Sequence, residues 1–129
     1  DESFEAFVSQ ICADFINQYD PQKERCWVAE MQDEQIGSIF CVNAGENVAK
    51  LRMLLVAPKA RGLGLGTKMV KECIRFARRV GYKKITLWTN DILIDARKIY
   101  EKQGFKLVKE ESHHSFGHDL VGQNWDLML

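Results

Sequence analysis

No stretch of this chain is apolar over anything like the roughly 20 residues a membrane-crossing helix needs. Neither sign of charge dominates, because 18 Lys+Arg balance 18 Asp+Glu for a formal net charge of zero. That balance argues against non-specific nucleic-acid binding and against attraction to a membrane surface. The chain opens on acidic residues rather than the basic-then-apolar segment of a signal peptide, so a cytoplasmic location is expected. No CxxC pair occurs; Cys12, Cys26, Cys41 and Cys73 each sit in an apolar-patterned element. Buried thiols in a reducing compartment are expected, not disulfides or zinc. The three histidines, His113, His114 and His118, have no cysteine near them, and no metal site is expected. Repeats, linkers and low-complexity segments are lacking too. There are only two prolines, Pro21 and Pro58, and each ends an element. At 129 residues the chain is expected to form a single domain spanning 1–129.

What is present alternates between helical and extended periods. Ser3 reads as an N-cap, with Phe4, Val8, Ile11, Phe15 and Tyr19 on one face of a helix over 3–19. Strands follow at 25–31, 36–44 and 48–56, separated by turns at 32–35 and 45–47, which predicts an antiparallel meander. A helix over 67–80, a strand over 83–90 and a second helix from an Asp91 cap to about Gln103 come next. Strands at 105–111 and 124–129 flank an irregular polar segment, 113–123. The βαβ unit over 48–90 must make its two strands parallel with a right-handed crossover. The fold class is therefore α/β (α+β): a mixed, mostly antiparallel sheet with a central βαβ unit and helices on both faces.

Residues 51–80 organise the chain. Residues 51–56 are almost uninterruptedly apolar, as in a strand buried on both faces. The turn Arg61-Gly62-Leu63-Gly64-Leu65-Gly66 then bends the backbone, and from Thr67 a helix begins. Met69, Cys73, Ala77 and Val80 form its apolar stripe, and Gly81 stops it. A glycine turn feeding a helix N-terminus presents unpaired N–H groups and a partial positive charge, the chemistry of an anion site. The turn is not a P-loop, because Gly66 is followed by Thr67-Lys68 in the wrong order. It is not a dinucleotide fingerprint, because the glycine after Gly62 and Gly64 falls one residue short. An ATP- or NAD-binding domain is thereby disfavoured. The R-x-x-G-x-G spacing of Arg61, Gly64 and Gly66 suits the pyrophosphate of coenzyme A.

With Ala96, Tyr100, Gly104 and Phe105 downstream in the pattern A-x-x-x-Y-x-x-x-G-F, the chain resembles the GNAT (Gcn5-related) N-acyltransferases over essentially its whole length. The wording around CWVAE, AKLRMLLV, TLWTND and HHSFGHDLVGQ is more narrowly similar to acetyltransferase domains fused behind MarR-type helix-turn-helix regulators. The resemblance implies the GNAT fold, without the family's first strand and helix. It also implies acetyl-CoA as cosubstrate, and direct acetyl transfer to a primary amine of a small molecule or protein. The alternative it implies is a catalytically weak acyl-CoA-sensing module joined to a MarR-type regulator. An N-terminal helix-turn-helix domain in a longer protein and a homodimer are further expectations.

The resemblance also distributes roles. Backbone N–H groups of Arg61, Gly62, Leu63, Gly64, Leu65, Gly66 and Thr67 would cradle the pyrophosphate, with charge from Arg61, Lys59 and Lys68. Leu55 and Val56 would pair with the pantetheine arm where the strands ending at Val56 and Asn90 splay, and Asn90 would add a contact. On helix pattern alone Tyr100 reads as a packing tyrosine; the resemblance makes it the acid that protonates the departing thiolate. Glu30 is the first choice for general base. Arg52, read as buried in the central strand, would need a carboxylate such as Glu30 or an anionic substrate. His113, His114, His118 and Asp119 are candidates for base or substrate ligand, and a solvated loop is the bland reading. Trp27, Trp88 and Trp125 read as core.

Overall fold

A computed structural model describes Ala6, Ser9, Gln10 and residues 20–91, 93–115 and 118–129. Of the helix expected over 3–19, Ala6, Ser9 and Gln10 are described and are helical, while its other residues and Cys12 lie outside the described residues. Among these, six strands form one sheet: β1 (Arg25–Met31), β2 (Glu34–Gly45), β3 (Val48–Val56), β4 (Lys84–Asn90), β5 (Lys106–Ser115) and β6 (His118–Met128). Helix α1 (Leu65–Val80) connects β3 to β4, and α2 (Ile94–Lys102) connects β4 to β5. The spatial order is β1-β2-β3-β4-β6-β5, with β3 and β4 parallel and every other pair antiparallel.

The meander closes through two tight turns. Gln32-Asp33 and Glu46-Asn47 all have positive φ (52° to 64°), the handedness of two-residue hairpin loops that match strand twist. The first turn is therefore shorter than 32–35, and β2 gains residues at both ends. Residue parity then decides the faces. Ile39, Cys41, Ala49, Leu51, Ile85, Leu87, Trp125 and Leu127 point to one side and pack with Met69, Val70, Cys73 and Ala77 of α1 and Tyr100 of α2. Both described helices thus cover the same face, although the sequence predicts helices on both faces. Gly81 (φ 96°) ends α1, its N–H donating to the Arg78 carbonyl at 3.2 Å. Cys26, Cys41 and Cys73 are thiols rather than disulfides.

Three expectations need correction. Asp91 does not cap α2: its Oδ1 accepts the Val121 N–H (3.1 Å), clamping β6, and α2 starts at Ile94 without a side-chain cap. Residues 113–115 and 118–123 are not irregular. They belong to the β5–β6 hairpin, paired out to Ser115↔His118, because cross-strand pairing overrides their weak local preference. Trp88 is 49% exposed, whereas Trp125 is in the core.

Candidate functional site

Strands β3 and β4 pair over three residues only: Val48↔Lys84, Ala49↔Ile85 and Lys50↔Thr86. Beyond Lys50 and Thr86 the two strands part, leaving a cleft that opens toward Val56 and Asn90. The cause is in β3. Ser38 and Phe40 of β2 face Leu55 and Arg52, so the single β2 residue between them, Ile39, is matched by two of β3, Met53 and Leu54. The extra residue makes a bulge, with Met53 at φ 55°, and the strand bends there. The Ser38 hydroxyl, wholly buried, donates to the Met53 carbonyl at 3.2 Å and holds the bulge in place. Leu55 and Val56, both half-buried, lie past the bulge, paired to β2 on one side and bordering the cleft on the other. The sequence reading missed this bulge; its one local trace is a serine in the apolar run of β2.

At the mouth of the cleft stands the start of α1. Ala57 N–H donates to the Ile36 carbonyl (2.7 Å), and a short 3-10 turn, Pro58–Ala60, leads into the glycines. Gly62 (φ 83°) and Gly64 (φ 76°) carry left-handed backbone, and nothing lies within 4 Å of where their side chains would be. Gly66 has another job. A Cβ there would sit 2.9 Å from Ile99 Cδ1, so its bareness lets α2 approach the first turn of α1. The first α1 hydrogen bond runs from the Lys68 N–H to the Gly64 carbonyl (3.1 Å), leaving the N–H groups of Leu65, Gly66 and Thr67 without helix acceptors. No side chain caps this end and no acid lies in the first turn. The exposed, uncapped positive end of a helix therefore faces solvent beside the cleft, with Arg61, Leu63 and Lys68 exposed around it. Lys59 is paired with Glu34, so its charge is already partly answered.

Tyr100 neighbours the Ile99 contact and is 4% exposed, its ring tilted against Phe105 at 5.7 Å. Burial, with the Cys73 thiol adding to it, pushes the phenol well above its ordinary value. The group is therefore protonated throughout the neutral range, as a proton donor must be. Asn90 ends β4, paired with Gly122.

The remaining candidates are spread out. Glu30 is exposed near the end of β1, two strands from β3 and about 10 Å away at ordinary strand spacing. Arg52 is exposed rather than buried, and no ion pair joins it to Glu30 among the described residues. The reason is parity: Leu51 takes the inward position and Arg52 the opposite face. His114 Nδ1 lies 2.9 Å from Asp119 Oδ1 across the β5–β6 hairpin, both side chains exposed. The hairpin overhangs the level of Asn90 by residues 112–115, about 13 Å of strand, and so flanks the same end of the sheet as the cleft. The expectations on the His113 and His118 side chains lie outside the described residues. No group able to hold a metal ion occurs among the described residues.

The acetyltransferase (GNAT) family model matches residues 2–105. An uncharacterised N-acetyltransferase of Schizosaccharomyces pombe is 33% identical over 87 residues, 64% of this chain and 53% of that protein. The N-acetylaspartate synthetase of Xenopus tropicalis is 33% identical over 104 residues, 79% of this chain and 38% of that protein. The chain thus spans about half or less of the length of these relatives. Among solved structures, the ribosomal-protein-alanine N-acetyltransferase of Brucella melitensis superposes with a TM-score of 0.78 at 19% identity, covering 96% of this chain and 78% of that one. A GNAT family acetyltransferase of Elizabethkingia anophelis with acetyl-CoA bound gives 0.71 at 20% identity, covering 90% and 82%.

Proposed function

The chain belongs to the GNAT acetyltransferase family, and on that basis we propose that it transfers an acetyl group from acetyl-CoA to a primary amine of a small molecule or protein. The observation that carries this reading is the cleft between β3 and β4 opening beside an uncapped, acid-free helix start. Bound acetyl-CoA supplies the thioester whose acetyl group moves. The N–H groups of Leu65, Gly66 and Thr67, at the end of a left-handed Gly62–Gly64 turn, suit a pyrophosphate. Arg61 and Lys68 add positive charge. Leu55 and Val56 border the cleft and offer backbone groups to an extended arm. Tyr100 keeps its proton at neutral pH and is the acid in this scheme. The base is assigned to Glu30 or to His114, whose Nδ1 is oriented by Asp119. One relative is named for making N-acetylaspartate, which favours a small-molecule amine.

The test is release of free CoA thiol over a panel of amines, together with calorimetric binding of acetyl-CoA. Acetyl-CoA-dependent turnover of at least one amine is expected. Tight acetyl-CoA binding with no turnover of any amine would instead favour the sensing module attached to a MarR-type regulator. Absence of acetyl-CoA binding would remove both readings.

A further inference from the structure

Arg52 and Trp88 share the sheet face turned away from α1 and α2. Ala49 and Ile85 form a ladder pair and both point into the core under the helices. Lys50 and Thr86, the last pair, therefore point the other way, and two residues further on so do Arg52 and Trp88. These two side chains flank the opening of the cleft, one on each strand.

The Trp88 indole is 49% exposed, yet its position is defined. It lies over Gly122, where a Cβ would be 2.8 Å from the ring. A large flat side chain is thus seated on a bare backbone, with about half of its surface exposed. Beside it on this face Lys84 pairs with Asp126 at 3.5 Å and Lys109 with Glu111 at 2.6 Å, whereas Lys50, two residues before Arg52, has no ion pair among the described residues. Arg52 has no ion pair among the described residues. The helix start that suits phosphates and Tyr100 both belong to the opposite face, so an acceptor has this face from which to enter the cleft.

We infer that the acceptor is an amine carrying a carboxylate and a flat apolar group, the chemistry of an aromatic amino acid. The carboxylate is taken by Arg52, whose planar fork matches it in two hydrogen bonds, and the flat group stacks on Trp88. The inference rests on the acetyltransferase reading for where the acyl group sits.

The test measures affinities of L-phenylalanine, L-phenylalaninamide and L-alanine by calorimetry, with tryptophan fluorescence in parallel and without cofactor. L-Phenylalanine is expected to bind at least about tenfold tighter than its amide, to bind tighter than L-alanine, and to change the fluorescence. Arg52→Gln should bring acid and amide together, and Trp88→Ala should bring phenylalanine and alanine together. Both sites are exposed, and circular dichroism checks that the variants fold. Equal affinity for acid and amide, equal affinity for phenylalanine and alanine, no binding of any of the three, or an equal loss for both ligands in Arg52→Gln would overturn the inference. CoA release with spermidine, which lacks a carboxylate, is measured separately. Turnover of spermidine but not of phenylalanine would uphold acetyl transfer and overturn this acceptor. Failure to bind acetyl-CoA would remove the acetyltransferase reading, while the cofactor-free affinities judge the Arg52–Trp88 site by themselves.

Discussion

The Ser38 hydroxyl donates to the Met53 carbonyl at 3.2 Å, and through that bond β2 holds the bend that opens the sheet. Met53 adopts a left-handed φ of 55°, which costs roughly 1–3 kcal/mol for a residue with a side chain. Met53→Gly should therefore keep acetyl-CoA binding. Met53→Val, β-branched at positive φ, should lower both stability and affinity. Ser38→Ala should destabilise by about 1 kcal/mol and raise the acetyl-CoA KM several-fold. Thermal melts and steady-state kinetics on the three variants check this. Full acetyl-CoA affinity in Met53→Val would show that the bulge does not shape the cleft.

Gly64 separates helix stability from anion binding. Its φ of 76° is one that aspartate tolerates better than most residues, and no atom obstructs a new side chain there. Gly64→Asp should thus cost at most about 1 kcal/mol of folding stability. The added carboxylate would occupy the nest of N–H groups and repel a pyrophosphate. Acetyl-CoA affinity should fall by at least about 100-fold, or about 2.7 kcal/mol. Unchanged affinity by calorimetry would move the phosphate site elsewhere.

How much of this was written locally explains what could be read from sequence. The β3–α1–β4 unit is a contiguous change of period with glycines at its joints, and the sequence placed it within two residues. The Met53 bulge depends on how β3 registers against β2, and Ser38 in an apolar run is its one local trace. Arg52 and Trp88 were misread because each sits in an apolar run, and composition does not say which face a residue takes. Only the pairing of Lys50 with Thr86 fixes that. Asp91 was misread for the same reason, since its partner Val121 lies 30 residues away.

Tyr100 should affect chemistry more than binding. Its ring is packed against Phe105, and phenylalanine fills nearly the same volume. Tyr100→Phe should lower kcat by at least about tenfold and leave acetyl-CoA affinity within about twofold. An equal loss in both would make Tyr100 a packing residue only. With its phenol held well above the ordinary value, wild-type kcat should show no alkaline fall below about pH 10 from loss of this proton. A rise with pH, as the amine or its base deprotonates, is the expected shape.

The same burial makes a prediction about stability at high pH. Tyr100 and Tyr82 are each 4% exposed, and both phenols are pushed up chiefly by burial. Tyr82 also donates to the Lys23 carbonyl at 2.5 Å, a bond that requires its proton. In the unfolded chain both titrate near pH 10. Above that pH the unfolded chain has lost protons that the folded chain retains. Stability must then fall as pH rises, by roughly 1.4 kcal/mol per pH unit for each tyrosine. Below about pH 9 these two groups contribute no pH dependence. Denaturant unfolding followed from pH 8 to pH 11, with tyrosinate absorbance alongside, should show a stability plateau and then a decline. Unfolding and tyrosinate formation should coincide. Tyr100→Phe should shallow the decline by about half; a decline of the same slope in that variant would mean that Tyr100 ionises freely in the folded chain.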